Sequence, residues 1–299
     1  MSAREGRAEP SSTVRAGRGA PSPEKGLAPV VVKFGGELLE TAANLRVVVS
    51  ALARVVAEEV PVLVVHGGGK ETDQALRDAR IEKRQVDGLR MTDAATLDIV
   101  VSVLGSVNTR LVAALNTAGV AGIGLTGADG RCGLSEPAPL HRTVDGRLVD
   151  LGLVGVPSEA ADMRLLTTLM AAAFVPVLAC IGIDADGRLL NVNADTFAGH
   201  LAARLGARRL VIAGTTAGVL TDGGRTLPLA DADTIQRLIE GGTATAGMIA
   251  KLRASAHALA RGASEVVIVD GRDGEALEGA ARGAPTPTAT RLVAGSLCK

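Results

Sequence analysis

The stretch VVVKFGG, Val30 to Gly36, and its counterpart VLVVHGGGKETD, Val62 to Asp73, decide how the rest of the chain is read. Each is a run of apolar, largely β-branched residues that stops at a glycine turn, and a helical pattern follows the turn. Strand, glycine turn and helix N-terminus together bring unhindered backbone N–H groups up to an anion, so these stretches predict a holder of phosphate or carboxylate. Neither matches the Walker nucleotide loop or the dinucleotide G-x-G-x-x-G fingerprint.

The same alternation continues down the chain. Apolar runs recur at VAGIGLTG (Val120 to Gly127), FVPVLACIGI (Phe174 to Ile183), RRLVIAG (Arg208 to Gly214) and SEVVIVDG (Ser264 to Gly271). Helical patterns lie between them, over 41–58, 71–80, 92–118, 160–173, 196–206, 232–240 and 247–261. Continuous apolar strands separated by such helices predict an α/β fold with a mainly parallel sheet covered on both faces. Between Arg131 and Val156 glycines and polar residues break the pattern, and HRTVDGRLVDLGLVG reads as a β-hairpin turning at Asp145-Gly146.

With 299 residues, 47% of them hydrophobic, the chain can bury a large core. Thirty-two basic residues balance 32 acidic ones, which leaves no global field to recruit nucleic acid or an anionic membrane. A small-molecule partner is therefore expected. Cys132, Cys180 and Cys298 are far apart without metal-ligand spacing, and Cys180, inside an apolar run, reads as a buried inert thiol. A reducing cytoplasm follows as the expectation, and no uninterrupted apolar run has the length of a membrane span. Residues Met1 to Pro29 are rich in Ser, Pro, Gly, Arg and Glu and nearly devoid of large apolar residues, which predicts a disordered tail.

Five short motifs carry groups suited to chemistry, and each alone has a bland alternative. Lys33 stands two residues before Gly35-Gly36; a lysine there is ordinarily solvated surface. Gly67-Gly68-Gly69 can surround an oxyanion or be a flexible loop. Arg90, in VDGLRMTD, can hold a carboxylate in a two-pronged contact or form a surface ion pair. Asn191, Asn193 and Asp195 in NVNAD can cap a helix, or Asp195 can sit between two lysines. Lys251 closes GMIAK at the start of a helix and is otherwise a solvated helical lysine. Their joint occurrence in this order points to phosphoryl transfer.

The ordered set KFGG, HGGGKETD, DGLRMTD, LLNVNAD and GMIAK resembles the amino acid kinase family, and within it the kinases of N-acetylglutamate in arginine biosynthesis. The similarity runs from about Val30 to Val293. It implies an open three-layer αβα sandwich, with about 30–195 binding the acyl amino acid and forming a homodimer and about 196–299 binding ATP. It implies that Lys33 and Lys251 stabilise the transferring phosphoryl group while Asp195 orients both. By the same resemblance Gly68, Gly69, Arg90 and Asn191 bind substrate, with Arg90 on the α-carboxylate, and Gly35, Gly36, Gly247 and Met248 serve phosphate or nucleotide. Mg²⁺ is expected to arrive on the ATP phosphates, with no metal ligands supplied by the chain. A kinase for N-succinylglutamate or carrier-linked aminoadipate, and a non-catalytic amino-acid-binding homologue, are the other readings.

Two positions depart from the family pattern. Gly214-Thr215-Thr216 stands where an aspartate is common, and Glu37 follows the first glycine pair. Arginine-inhibited members carry an N-terminal helix that interlaces dimers, which needs an apolar stripe; residues 1–29 have only Val14 and Leu27 as branched apolar residues, and Pro10, Pro21, Pro23 and Pro29 interrupt them. A homodimer insensitive to arginine is expected.

Overall fold

The computed structural model describes residues 28–143, 146–221, 223–241 and 246–295. The expected disordered tail therefore lies outside the described residues up to residue 27, as do Asp145 of the expected turn and Cys298. The main sheet has eight strands, β1 (Val30–Phe34), β2 (Val62–His66), β3 (Gly122–Thr126), β4 (Val175–Ala179), β5 (Arg209–Gly214), β6 (Leu229–Ala230), β7 (Glu265–Asp270) and β8 (Ala289–Val293). Their spatial order is β6-β8-β7-β5-β1-β2-β4-β3, parallel except that β8 runs against β7. The helices are α1 (Ala42–Val56), α2 (Gly69–Asp78), α3 (Ala94–Thr117), α4 (Arg164–Ala171), α5 (Ala194–Arg204), α6 (Ala232–Glu240), α7 (Ala246–Ala260) and α8 (Gly274–Arg282).

The two-residue period of each strand divides its side chains between two apolar layers. Val30, Val32, Phe34, Val62, Val64, Val211 and Val267 meet α1, α8 and the C-terminal half of α3. Val31, Leu63, Val65, Leu210, Ile212 and Ile268 meet α4 to α7. Both faces are covered, which is why the strands are apolar at every position rather than at alternate ones. The predicted αβα sandwich is the observed one.

Strand β1 is the centre of this arrangement. The chain before Asp195 builds outward on one side through β2, β4 and β3, and the chain after it builds on the other through β5, β7, β8 and β6. Where connections diverge in opposite directions, the carboxyl ends of the strands leave a crevice. The first glycine turn follows β1 there and the second follows β2.

Several elements differ from the sequence reading. FVPVLACIGI is two strands: β4 ends at Ala179, and Ile181–Ile183 joins a separate four-stranded sheet with Leu189–Val192, Val154–Pro157 and Ser135–Pro137. The hinge is Cys180, whose thiol donates to the His66 carbonyl at 2.8 Å. The hairpin of His141–Arg142 and Leu148–Val149 is present as expected. Helix α8 and strand β8 were not read from sequence, because GEALEGAAR is weakly apolar; Asp273, which caps the helix by accepting from Glu275 and Ala276 N–H at 3.0 Å, was the available signal. Helix α3, with 24 residues and mean hydropathy 1.5, is long and apolar enough to cross a membrane by length and composition alone. Its buried residues Leu104, Val107, Asn108, Leu111 and Leu115 pack on the sheet as a core helix does.

Candidate active site

The crevice at the carboxyl ends of β1 and β2 is an open cleft of about 270 Å³. Lys33, Gly35, Gly36, Gly68, Gly69, Arg90, Asn191, Asp195 and Lys251 all line it, so the structure gathers residues from five separated motifs into one place. Gly247 and Met248 do not line it. They occupy the first turn of α7, one helical turn before Lys251.

Lys33 shares the sheet face of Val31, so its side chain emerges among α5 and α7 instead of into water, and it is only 5% exposed. An ammonium in such a place needs a partner. Asp195, in the first turn of α5, supplies it at 2.8 Å, and its other oxygen accepts from Lys251 at 3.4 Å. The Lys33 contact is an ion pair without hydrogen-bond alignment, so Asp195 Oδ1 keeps lone-pair capacity. Asn193 caps α5 by accepting from the N–H groups of Asp195 and Thr196 at 3.0 Å, which separates the two roles that NVNAD left open.

Charge on this triad is set by opposing effects. Burial disfavours the Asp195 carboxylate, but Lys33 and Lys251 outweigh it and hold its pKa below the usual range. Burial likewise works against the Lys33 ammonium, yet Asp195 overcomes it and raises the pKa. For Lys251 burial and the neighbouring Lys33 charge prevail over Asp195, and its pKa is lowered. Asp195 thus outweighs burial for Lys33 and does not for Lys251.

The glycine turns are packed on each other. A Cβ on Gly36 would stand 2.8 Å from Gly68 Cα and 3.0 Å from Gly69 N, so no side chain fits. Among the described residues, the N–H groups of Gly36, Gly68 and Gly69 donate to no protein acceptor. Three free amides, a helix N-terminus and two lysines therefore converge on one cleft, an anion-binding arrangement suited to triphosphate oxygens.

Arg90 is presented by a hairpin. Gln85–Val86 pairs with Leu89–Arg90 around Asp87-Gly88, whose φ values of 48° and 79° are those of a tight turn with both central residues left-handed. The Asp-Gly pair was the missed signal. Arg90 Nη2 donates to Asp73 at 2.5 Å, while Arg90 Nη1 is buried and has no hydrogen-bond partner. Asn191 Nδ2 donates to Thr92 Oγ1 at 3.0 Å, and Thr92 Oγ1 donates to the Arg90 carbonyl at 3.1 Å. Asp73 is held below the usual carboxylate range: burial opposes this, but Lys83 and Arg90 prevail.

Behind the second glycine turn, His66 is fully buried. Its Nε2 is 3.0 Å from Asn108 Nδ2, which donates to it and also to the Val177 carbonyl at 2.8 Å; its Nδ1 contacts the Gly67 carbonyl at 3.2 Å. That pattern assigns the proton to Nδ1. Burial lowers the His66 pKa to about 4. Cys180 and Cys132 are buried, and burial raises both thiols, Cys132 to about 12, so the inert reading of Cys180 holds.

Fold and site together define a phosphotransferase architecture, and comparison with known proteins gives it a family. The amino acid kinase family model matches residues 28–270, and the chain belongs to that family. Within it the chain is 38% identical to the acetylglutamate kinase of Rhodopseudomonas palustris over 250 residues, 81% of this chain and 83% of that one. It is 40% identical to the acetylglutamate kinase of Geobacillus kaustophilus over 245 residues, 81% of this chain and 90% of that one. Among solved structures, the N-acetylglutamate synthase of Neisseria gonorrhoeae complexed with coenzyme A and N-acetyl-glutamate is similar at a TM-score of 0.78 and 21% identity, covering 90% of this chain; the chain spans 60% of that one. Giardia carbamate kinase is similar at a TM-score of 0.65 and 15% identity, covering 90% of this chain and 99% of that one. At these identities the two structures bear on the fold alone.

The buried histidines set an acid limit. His66 and His200 both have pKa values lowered from 6.5 to about 4, chiefly by burial, so the unfolded chain binds more protons than the folded one in that interval. Their contribution to stability is fully present above pH 6.5 and is lost as the pH falls toward 4. Urea unfolding followed between pH 7 and 4 should show stability declining by up to about 1.4 kcal/mol per pH unit for each histidine. A flat profile across that window would mean that neither ring is buried neutral.

Proposed function

We propose that this chain transfers the γ-phosphoryl group of ATP to the γ-carboxylate of N-acetyl-L-glutamate, giving N-acetyl-L-glutamyl 5-phosphate for arginine biosynthesis. The observation that carries the reading is the Lys33–Asp195–Lys251 triad facing three acceptor-free amides in a cleft at the sheet's switch point. The identity to acetylglutamate kinases over four fifths of the chain supports the choice of substrate.

The acceptor carboxylate is already ionised at neutral pH, so the attack needs no general base. Catalysis reduces to holding two anions in line and neutralising the charge spread over the moving phosphoryl oxygens. Lys33 and Lys251 face that charge from the α5 and α7 side, and the Gly36 and Gly68 amides face it from the turns. Asp195 keeps the ammonium groups pointed into the cleft. Arg90 Nη1 is free to take the α-carboxylate, and Asn191, one link from Arg90 through Thr92, would hold the acetamido end. The lobe after residue 196 would seat the nucleotide, with Gly247 and Met248 near the phosphates at the start of α7. Mg²⁺ would be held chiefly by the nucleotide phosphates. When bound, it would supply charge neutralisation.

Trapping of the acyl phosphate as a hydroxamate, with ATP and N-acetyl-, N-succinyl- or free glutamate, tests the substrate directly. N-acetylglutamate should give the highest kcat/KM, and Lys33→Ala or Lys251→Ala should each lower kcat on the order of 10²-fold or more. Rates within a few-fold of the parent for both variants would remove the lysines from the mechanism.

Arg90→Lys keeps the charge but loses the planar fork. It should raise KM for the amino acid with little change in KM for ATP. A selective rise in the ATP value would put Arg90 on the nucleotide side.

The working form is a soluble, cytoplasmic homodimer, insensitive to arginine because residues 1–29 offer no apolar stripe for further assembly. Light scattering should give twice the mass of the chain with and without millimolar arginine, and a hexameric mass would contradict it.

A further inference from the structure

Glu37 stands in the cleft without a hydrogen-bond or ion-pair contact, although its charge acts on both Lys33 and Lys251. It follows Gly36 in the short turn Gly36–Leu38, is half-buried, and its carboxylate folds back over Gly35, where an added Cβ would lie 2.3 to 2.5 Å from it. The same carboxylate reaches across to the end of β5: a Cβ on Gly214 would be 3.5 Å from Glu37 Oε1 and 3.8 Å from Lys251 Cε. It thus spans the mouth between the ends of β1 and β5, next to the free Gly36 amide. Among the described residues its side chain has no hydrogen-bond or ion-pair partner; its backbone carbonyl accepts from Asn44 Nδ2 at 3.3 Å.

Lys33 and Lys251 attract this carboxylate, so it competes with incoming phosphates for the same two ammonium groups. Lys33 and Lys251 contribute two positive charges to the cleft, and Asp195 and Glu37 contribute two negative ones. Arg90 is already matched by Asp73, and His66 is neutral. The chain's fixed charge therefore cancels where a triphosphate and an acceptor carboxylate must meet. A bare carboxylate beside the phosphate-binding amides would repel the nucleotide unless a cation lay between them. Mg²⁺ is suited to that place, because it is typically held by one or two carboxylates together with substrate phosphates.

We propose that Glu37 is a ligand, directly or through one water, of the divalent cation that accompanies the nucleotide phosphates. The inference rests on the phosphotransfer reading and makes it specific: the chain contributes one oxygen to the metal instead of leaving it wholly to ATP. Glu37→Gln preserves shape and removes the charge, so it separates ligation from packing.

Calorimetric titration of the full chain and of Glu37→Gln with a non-hydrolysable ATP analogue, once with Mg²⁺ and once with EDTA, reads the effect without turnover. Ligation predicts opposite signs: the variant binds the metal–nucleotide complex about tenfold or more weakly and the metal-free nucleotide more tightly. The electron paramagnetic resonance spectrum of Mn²⁺ in the nucleotide complex should also change in the variant. Tighter binding in both states would mean that Glu37 only repels phosphate, and equal affinities would mean that it does not sense the metal; either overturns the proposal. Failure of the parent chain to bind nucleotide at all would overturn the phosphotransfer reading itself.

Discussion

One carboxylate buried between two ammonium groups holds this site together. Moving an unpaired lysine into the layer beneath α5 and α7 would cost several kcal/mol, and the usual response is loss of its charge. Asp195 prevents that for Lys33, and in doing so ties the middle strand of the sheet to two helices that begin more than 150 residues further along. Within the triad two positive charges share one negative, and both ammonium groups line the cleft. A phosphoryl group in flight is an anion that such a pair suits.

The sheet makes this pairing possible. Strand β1 lies between β2 and β5 because the chain builds its two halves on opposite sides of it, and only at such a switch point do both glycine turns open onto one crevice. The turns then approach so closely that Gly36 and Gly68 exclude any side chain between them. Their amides are left to the ligand as a consequence. His66 and Asn108 brace the second turn from behind with a buried, neutral hydrogen-bond network.

Around Arg90 the logic is one of partial satisfaction. Asp73 occupies one arm of the Arg90 fork and fixes its plane, while the other arm stays unpaired. Thr92 connects Arg90 to Asn191, so residues about a hundred positions apart share one chain of hydrogen bonds. A planar guanidinium with one committed arm is already oriented when the ligand arrives, which limits the entropy lost on binding.

Local pattern was sufficient for the α/β class, the parallel sheet covered on both faces, the two glycine turns and the order of the motifs, because strand and helix periodicities and glycine turns are written in neighbouring residues. The motif set was also enough to reach the family. Long-range pairing lay beyond it. That Lys33 is buried, that Asn193 and not Asp195 caps α5, that FVPVLACIGI breaks at Cys180 into strands of two sheets, and that Arg90 leans on Asp73 all depend on which distant segments the sheet brings together. Glu37 illustrates the difference most plainly. In the sequence it is one unusual residue after a glycine pair, and only the packing of β1 against β5 sets its carboxylate at the mouth of the cleft, because electrostatic environment is a property of neighbours in space and not of neighbours in the chain.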